Sequence, residues 1–304
     1  MTAKSESGRR VAQAQARFAR VAFAQWLGVT VSDIAQDRAV LVLPYQPEHL
    51  NAADVLNGGA SASLLTMAGT LAAWTSIDLD TAPHLGCVDL SVQYLAPATR
   101  EDVVAEARVL RRGRTLIFLD VTLSSRAGAP ICRGLLSYQT ADYAGQAPRV
   151  RAQHALLPAP APLAPPDARR LFRGYVGKLG ITPLHESAGR VRLHMPCTAM
   201  HLDEGGRLHA GALASILDIA AVAASWSLVP RRQGARGSTI GMQVSYPTGA
   251  AAAVVADAHV QQRSEELLFS TVHVTTVASE QLVAMGQVSY RLLEPWPEGV
   301  TSCA

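Results

Sequence analysis

Residues 49–69 read HLNAADVLNGGASASLLTMAG, and residues 201–221 read HLDEGGRLHAGALASILDIAA. Each opens on His-Leu, crosses a polar loop and enters an Ala-rich segment at a glycine. The two stretches lie 152 positions apart, and that offset aligns residues on both sides of them. Leu27-Gly28 falls on Leu179-Gly180, Pro44 on Pro196, Gly59-Ala60 on Gly211-Ala212, and Ala62-Ser63 on Ala214-Ser215. Trp74 falls on Trp226, Tyr94 on Tyr246, and Ser137-Tyr138 on Ser289-Tyr290. Chance does not hold one offset from Leu27 to Tyr138, so the chain is a duplicated unit.

The Ala-rich segments are apolar on most faces, as Leu64, Leu65, Met67, Ala68 and Leu71 illustrate. A helix apolar nearly all round is buried on nearly all sides. The expected helices cover 59–77 and 211–229. A short amphipathic helix (11–26, 168–178) and a strand (37–44, 189–196) precede each. Four strand-like segments follow: Cys87–Leu95, Val103–Leu110, Leu116–Ser124 and Ile131–Thr140, with counterparts near 239–247, 254–262, 267–276 and 283–292. The fold class is α+β, with a long central helix wrapped by a curved antiparallel sheet in each repeat. The expected organisation is one repeat over 1–140, a linker over 141–167 and a second repeat over 168–304. The linker contains QAPRVRAQHALLPAPAPLAPPD, whose Pro and Ala favour extended, semi-rigid chain.

Composition narrows the class. Of 304 residues, 49% are hydrophobic and 17% charged, as expected for a globular chain. Aromatics are only 5%, so the cores are built from Ala, Val, Leu and Ile. A net charge of +3 is too weak to make nucleic acid the main partner. The only lysines are Lys4 and Lys178, so phosphate groups would be held by Arg forks or backbone N–H groups. Cys87, Cys132, Cys197 and Cys303 are scattered, which supports neither a metal site nor a redox pair and reads as reduced, cytoplasmic thiols. The N-terminus has no continuous apolar run of the secretory type. Val55 to Ile77 carries no charge and is long enough to span a membrane. Its Asn57, Gly58, Gly59, Ser61, Ser63, Thr66, Gly69 and Thr70 favour a buried helix of a water-soluble protein, so no membrane partner is expected.

Asp218 lies within GALASILDIAAVAASW, a helix interior where Asp is a poor former. Burying its carboxylate without partners is costly. It either belongs to a polar stripe with Ser215 and Ser225 or works in a site with a raised pKa. On periodicity alone the two readings are even. The second feature is the helix start, Gly58-Gly59 and Ala210-Gly211. The first helical N–H groups lack internal acceptors and favour negative charge. Glycine lets a ligand approach that backbone closely. The plain alternative is an N-cap with small residues for packing.

The pattern resembles the hotdog fold, and the whole resembles a tandem, double-hotdog acyl-CoA thioesterase of the phenylacetyl-CoA thioesterase type. The resemblance rests on an Asn loop, a His-Gly-Gly helix start, an Asp nine residues after the His, and a Ser/Thr opening the next strand. Here the strands read CVDLSVQY and TIGMQVSY. It implies hydrolysis of an acyl-CoA thioester to acid and CoA, with no metal or other cofactor. It also implies sites shared between two units. One unit supplies the Asn loop, the His and the helix N-terminus, and the other the Asp and the Ser/Thr.

This chain departs from that pattern unequally. The first repeat has Asn51, Gly58 and Gly59, but Asn57 replaces the His, Thr66 the Asp and Cys87 the Ser/Thr. The second has Asp218, Thr239 and His209, but Asp203 replaces the Asn and Ala210 the first Gly. Crossing the repeats gives one site of Asn51, Asn57, Gly58, Asp218 and Thr239. It gives a degenerate second site of Asp203, His209, Ala210, Thr66 and Cys87. The expectation is one working site. Asp218 is its base or nucleophile, Asn51 positions water or carboxylate, the Gly58 N–H polarises the carbonyl, and Thr239 orients Asp218. Gly59 is expected to lie against the substrate.

Arg111, Arg112 and Arg114 surround Gly113 in a hairpin pattern, RRGRT, and Arg111 and Arg114 are candidates for holding CoA phosphates. Its counterpart QRSEELL is acidic. His49 and His201 read as loop-packing residues, and Trp74 and Trp226 as core. Two other functions stay open: a non-catalytic acyl-CoA binding module, and a hotdog hydratase or dehydratase using His209 with Asp203. A homodimer of tandem chains is the expected assembly.

Overall fold

The computed structural model describes residues 3–51, 53–80, 85–140, 171–229 and 236–292. The Pro/Ala-rich stretch at 141–167 and Cys303 lie outside these residues.

The buried helices form where the Ala-rich segments place them. Helix α3 spans Gly58–Ser76 and α5 spans Ala210–Trp226. Leu64, Leu65, Met67, Leu71 and Trp74 of α3 are fully buried. Each such side chain contributes about 1.5–3 kcal/mol of transfer free energy. Val55–Ile77 thus runs through the core, and no described helix is long and apolar enough to cross a membrane.

In the first repeat, β1 (Thr30–Ala35), β2 (Arg38–Leu43), β3 (Gly86–Tyr94), β4 (Val103–Arg112), β5 (Leu116–Ser125) and β6 (Pro130–Gln139) surround α3. In the second, β7 (Thr182–Ser187), β8 (Arg190–Met195), β9 (Gly237–Ser245), β10 (Val254–Ser264), β11 (Leu267–Thr276) and β12 (Leu282–Leu292) surround α5. All twelve strands join one antiparallel sheet in the order β1-β2-β4-β5-β6-β3-β9-β12-β11-β10-β8-β7. Its halves mirror each other about β3 and β9. There Ser91 pairs with Gln243, its own counterpart in the other repeat. A pseudo-twofold axis therefore passes through this junction. It continues to the crossing of α3 and α5, where the Ser63 and Ser215 hydroxyls lie 3.2 Å apart.

Three expectations need correction. Among the described residues each repeat has six strands rather than five. β1 and β7 are edge strands paired on one side only, and their half-exposed residues show no clean apolar alternation. The helix expected over 11–26 is two helices, α1 (Ala3–Phe18) and α2 (Ala22–Leu27). In the second repeat the described part of the corresponding segment holds one short helix, α4 (Gly174–Lys178). Trp226 is only partly buried and joins a small separate cluster with Val229, Leu268, Tyr290 and Leu292, whereas Trp74 is core.

Candidate active site

The two buried helices cross at glycines. A Cβ on Gly59 would stand 2.8 Å from the Ser215 Cα, and one on Gly211 would stand 2.7 Å from the Ser63 Cα. Backbones this close admit no larger residue. The crossing is closed by hydroxyls: the Tyr175 hydroxyl lies 3.0 Å from Ser63 Oγ and 2.9 Å from Ser215 Oγ. Each helix N-terminus is thereby carried to the flank of the other helix.

Asp218 lies on α5 at one such flank, buried at 3% exposure. Its Oδ1 accepts a 2.7 Å hydrogen bond from Thr239 Oγ1 on β9. Its Oδ2 faces the start of α3, 2.7 Å from where a Cβ on Gly58 would be. Burial pushes the carboxyl up to about 6, against a smaller lowering by the Thr239 bond. The polar-stripe reading is thus replaced by a carboxyl enclosed between the repeats. Thr239, Asp218 and Gly58 are brought together.

The peptide joining Gly58 and Gly59 is held at both ends. Its N–H donates to Asn57 Oδ1 at 2.9 Å, the N-cap bond of α3. Its carbonyl accepts from the Tyr94 hydroxyl at 3.0 Å. Gly58, the first residue of the helix, lies beside Asp218, and among the described residues its own amide has no hydrogen-bond acceptor. Tyr94 is partly buried, and desolvation together with the nearby Asp218 pushes its phenol up. Tyr94 was not singled out from the sequence for a role. Its recurrence as Tyr246 was the available signal.

Asn51 works locally. Its Oδ1 accepts from Ala53 N at 2.8 Å and Val55 N at 3.4 Å, which folds the loop ahead of the helix. Among the described residues no hydrogen bond joins Asn51 to Asp218. Asp203 does the same work in the second repeat, accepting from Gly205 N and Arg207 N, each at 2.9 Å.

The pseudo-equivalent site is built differently. His209 Nδ1 accepts from Gly211 N at 3.0 Å, the role Asn57 takes in the first repeat. Its ring lies 5.1 Å from that of Phe23, and burial lowers it to about 4. Tyr246 donates to the Ala210 carbonyl at 3.1 Å. Where Asp218 would stand, Thr66 turns its hydroxyl back to the Ser63 carbonyl at 2.8 Å. Cys87 replaces Thr239, and burial pushes its thiol up. His209 and Asp203 are each committed to backbone N–H groups, which does not favour the acid/base pair a hydratase would need.

The arginine turn lies at this second end. Leu116, just past the turn, pairs with Gln139, and Gln139 pairs with Gly86. Arg111 and Arg114 are exposed there, at the Cys87 end of the sheet. The turn beside Thr239 is the acidic one. Thr239 pairs with Tyr290 and Tyr290 with Leu268, two residues from Glu266. Strand order separates Arg111 and Arg114 from Asp218.

His201 is a packing residue: its Nδ1 lies 2.9 Å from Thr198 Oγ1 and its Nε2 3.0 Å from the Leu179 carbonyl.

Comparison with known proteins bears on the family. The description "Thioesterase superfamily" matches residues 53–132. Acyl-coenzyme A thioesterase 13 of Homo sapiens is 33% identical over 137 residues, 44% of this chain and 94% of that protein. A conserved protein with a hot dog fold from Alicyclobacillus acidocaldarius superposes over 91% of this chain and 98% of its own, with TM-score 0.62 and 15% identity. The acyl-CoA thioesterase II TesB2 of Mycobacterium marinum covers 90% of this chain and 97% of its own, with TM-score 0.59 and 16% identity. At these identities the two structures speak for the fold, which is a hotdog in both halves.

Proposed function

The chain belongs to the thioesterase superfamily and is a thioester hydrolase, and on that premise we propose that it hydrolyses an acyl-CoA at one composite site between its repeats. The observation that carries this reading is the buried Asp218 carboxyl, tied to Thr239 of its own repeat and facing Gly58 of the other.

In the proposed reaction the thioester carbonyl sits at the start of α3, and its oxygen takes the Gly58 N–H. A fixed amide dipole there stabilises the charge that develops on attack. Asp218 Oδ2 removes a proton from water as the water oxygen bonds to the carbonyl carbon. Collapse of the tetrahedral adduct breaks the C–S bond, and the thiolate leaves with the proton. A carboxyl pushed up to about 6 suits this role, because a base poised near the working pH transfers protons efficiently. Thr239 fixes the carboxylate orientation. The amide group of Asn57 and the loop folded by Asn51 complete the wall on the first-repeat side.

Hydrolysis of a panel of acyl-CoAs, followed by thiol release, tests the reading with an Asp218→Asn control. Loss of release in the variant supports it. Single turnover in 18O-water separates base from nucleophile. Label confined to the product acid supports the base, and label in the Asp218 carboxyl identifies a nucleophile.

A further inference from the structure

The second composite site has lost its carboxylate but has kept its space. A cavity of about 70 Å³ is lined there by Asp203, Arg207, Ala210, Cys87, Tyr246 and Thr248, among others. One water needs roughly 10–15 Å³ of such space, so the pocket has room for several waters or for a small group such as a thioester carbonyl.

The residues around this cavity have also diverged in one direction. Arg207 stands where the first repeat has Val55, and Gly249 where it has Pro97. A Cβ on Gly249 would lie 2.6 Å from Arg207 Cδ, so the glycine makes room for the arginine stem. The RRGRT turn lies at the same end of the sheet, two strands from Gly86, roughly 10 Å at the usual strand spacing. The end that holds Asp218 has Glu265 and Glu266 in the matching turn. Arginine forks suit phosphates.

We infer that the second composite cleft binds a coenzyme A thioester without hydrolysing it, with the thioester end in the cavity and the phosphates toward Arg207 and the Arg111–Arg114 turn. Hydrolysis fails there because Thr66 stands where the other site has Asp218, and the Asp203 carboxylate that lines the cavity is held by its own loop and by Arg207, whose Nε lies 4.0 Å from Oδ2. Thr66 is bonded to its own helix, and Asp203 Oδ1 is taken by two backbone N–H groups. This inference rests on the assignment of hydrolysis to Asp218.

Calorimetric titration of the full chain with S-hexyl-CoA, a thioether that cannot be hydrolysed, tests it. Two molecules per chain are expected, falling to one in Arg207→Glu, with at least a tenfold weakening of the second event in Arg111→Ala/Arg114→Ala. One molecule per chain in the native protein overturns the inference, as does an Arg207→Glu protein that still binds two with unchanged affinities. Circular dichroism of each variant shows that it is folded. The two readings fail separately. Turnover that survives Asp218→Asn defeats the hydrolytic assignment whatever the stoichiometry, and a single binding event defeats this one whatever Asp218 does.

Discussion

Asp218 and Gly58 come from different repeats, yet a Cβ on Gly58 would stand 2.7 Å from Asp218 Oδ2. The pseudo-equivalent pair is Thr66 and Ala210. The carboxylate goes with the glycine, and the shorter hydroxyl with the alanine. The two differences between the sites are therefore one steric difference.

That coupling makes a double-mutant prediction. Thr66→Asp places a carboxylate against the Ala210 methyl and is expected to lower stability by about 1–3 kcal/mol, the usual cost of overpacking. Adding Ala210→Gly should recover part of the loss, with a coupling of at least about 1 kcal/mol. Additive effects in urea melts of the four proteins contradict the coupling. In the other direction, Gly58→Ala should cut turnover sharply while Gly58 keeps no role in binding at the second cleft.

The Asp218 carboxyl sets a pH dependence. Its folded value is about 6 against an ordinary 3.8, so the folded protein holds the proton more tightly. Activity that needs the ionised form is expected to rise about tenfold per pH unit up to about pH 6 and then level. Stability moves the other way. The contribution is fully present below pH 3.8 and is lost as pH rises through 6, a total of about 3 kcal/mol at 1.36 kcal/mol per unit. Asp218→Asn should therefore be more stable than the native chain at pH 7, with the gap closing near pH 4. A gap independent of pH contradicts this. Thr239→Val removes a bond that holds the carboxyl down, so its activity limb should move to higher pH.

Tyr94 offers a test between equivalent residues. Tyr94 and Tyr246 make the same bond to the first carbonyl of their helices. Tyr94→Phe should lower kcat about fivefold with little change in KM, the scale of one net hydrogen bond of about 1 kcal/mol. Tyr246→Phe should leave kcat unchanged while costing similar stability. Equal losses of kcat assign both tyrosines a structural role.

Much of this architecture was legible in the sequence because duplication exposes it. A fixed offset aligned the two Ala-rich helices, and their all-round apolar surface showed that they are buried. Reading Asp218 against Thr66 at that offset also separated a carboxylate-bearing site from one without. Three features were not legible. β1, TVSDIA, and β7, TPLHES, pair on one side and cover little core, so no apolar alternation marks them. The caps made by Asn57 and His209 show only once Gly59 N and Gly211 N are placed, because a side-chain cap is a matter of geometry. Which end of the sheet holds the arginine turn is not legible either, because sequence does not reveal that β3 pairs with β6 and β9 rather than with β4.

The most direct measurement is the rate of thiol release from an acyl-CoA by three single variants, each checked for folding. Asp218→Asn is expected to lose at least about a hundredfold, the scale of a missing general base. Thr66→Ala and Asp203→Asn are expected to stay within about threefold of the native rate. Comparable losses from Asp218→Asn and Asp203→Asn, or full activity in Asp218→Asn, contradict a single hydrolytic site built on Asp218.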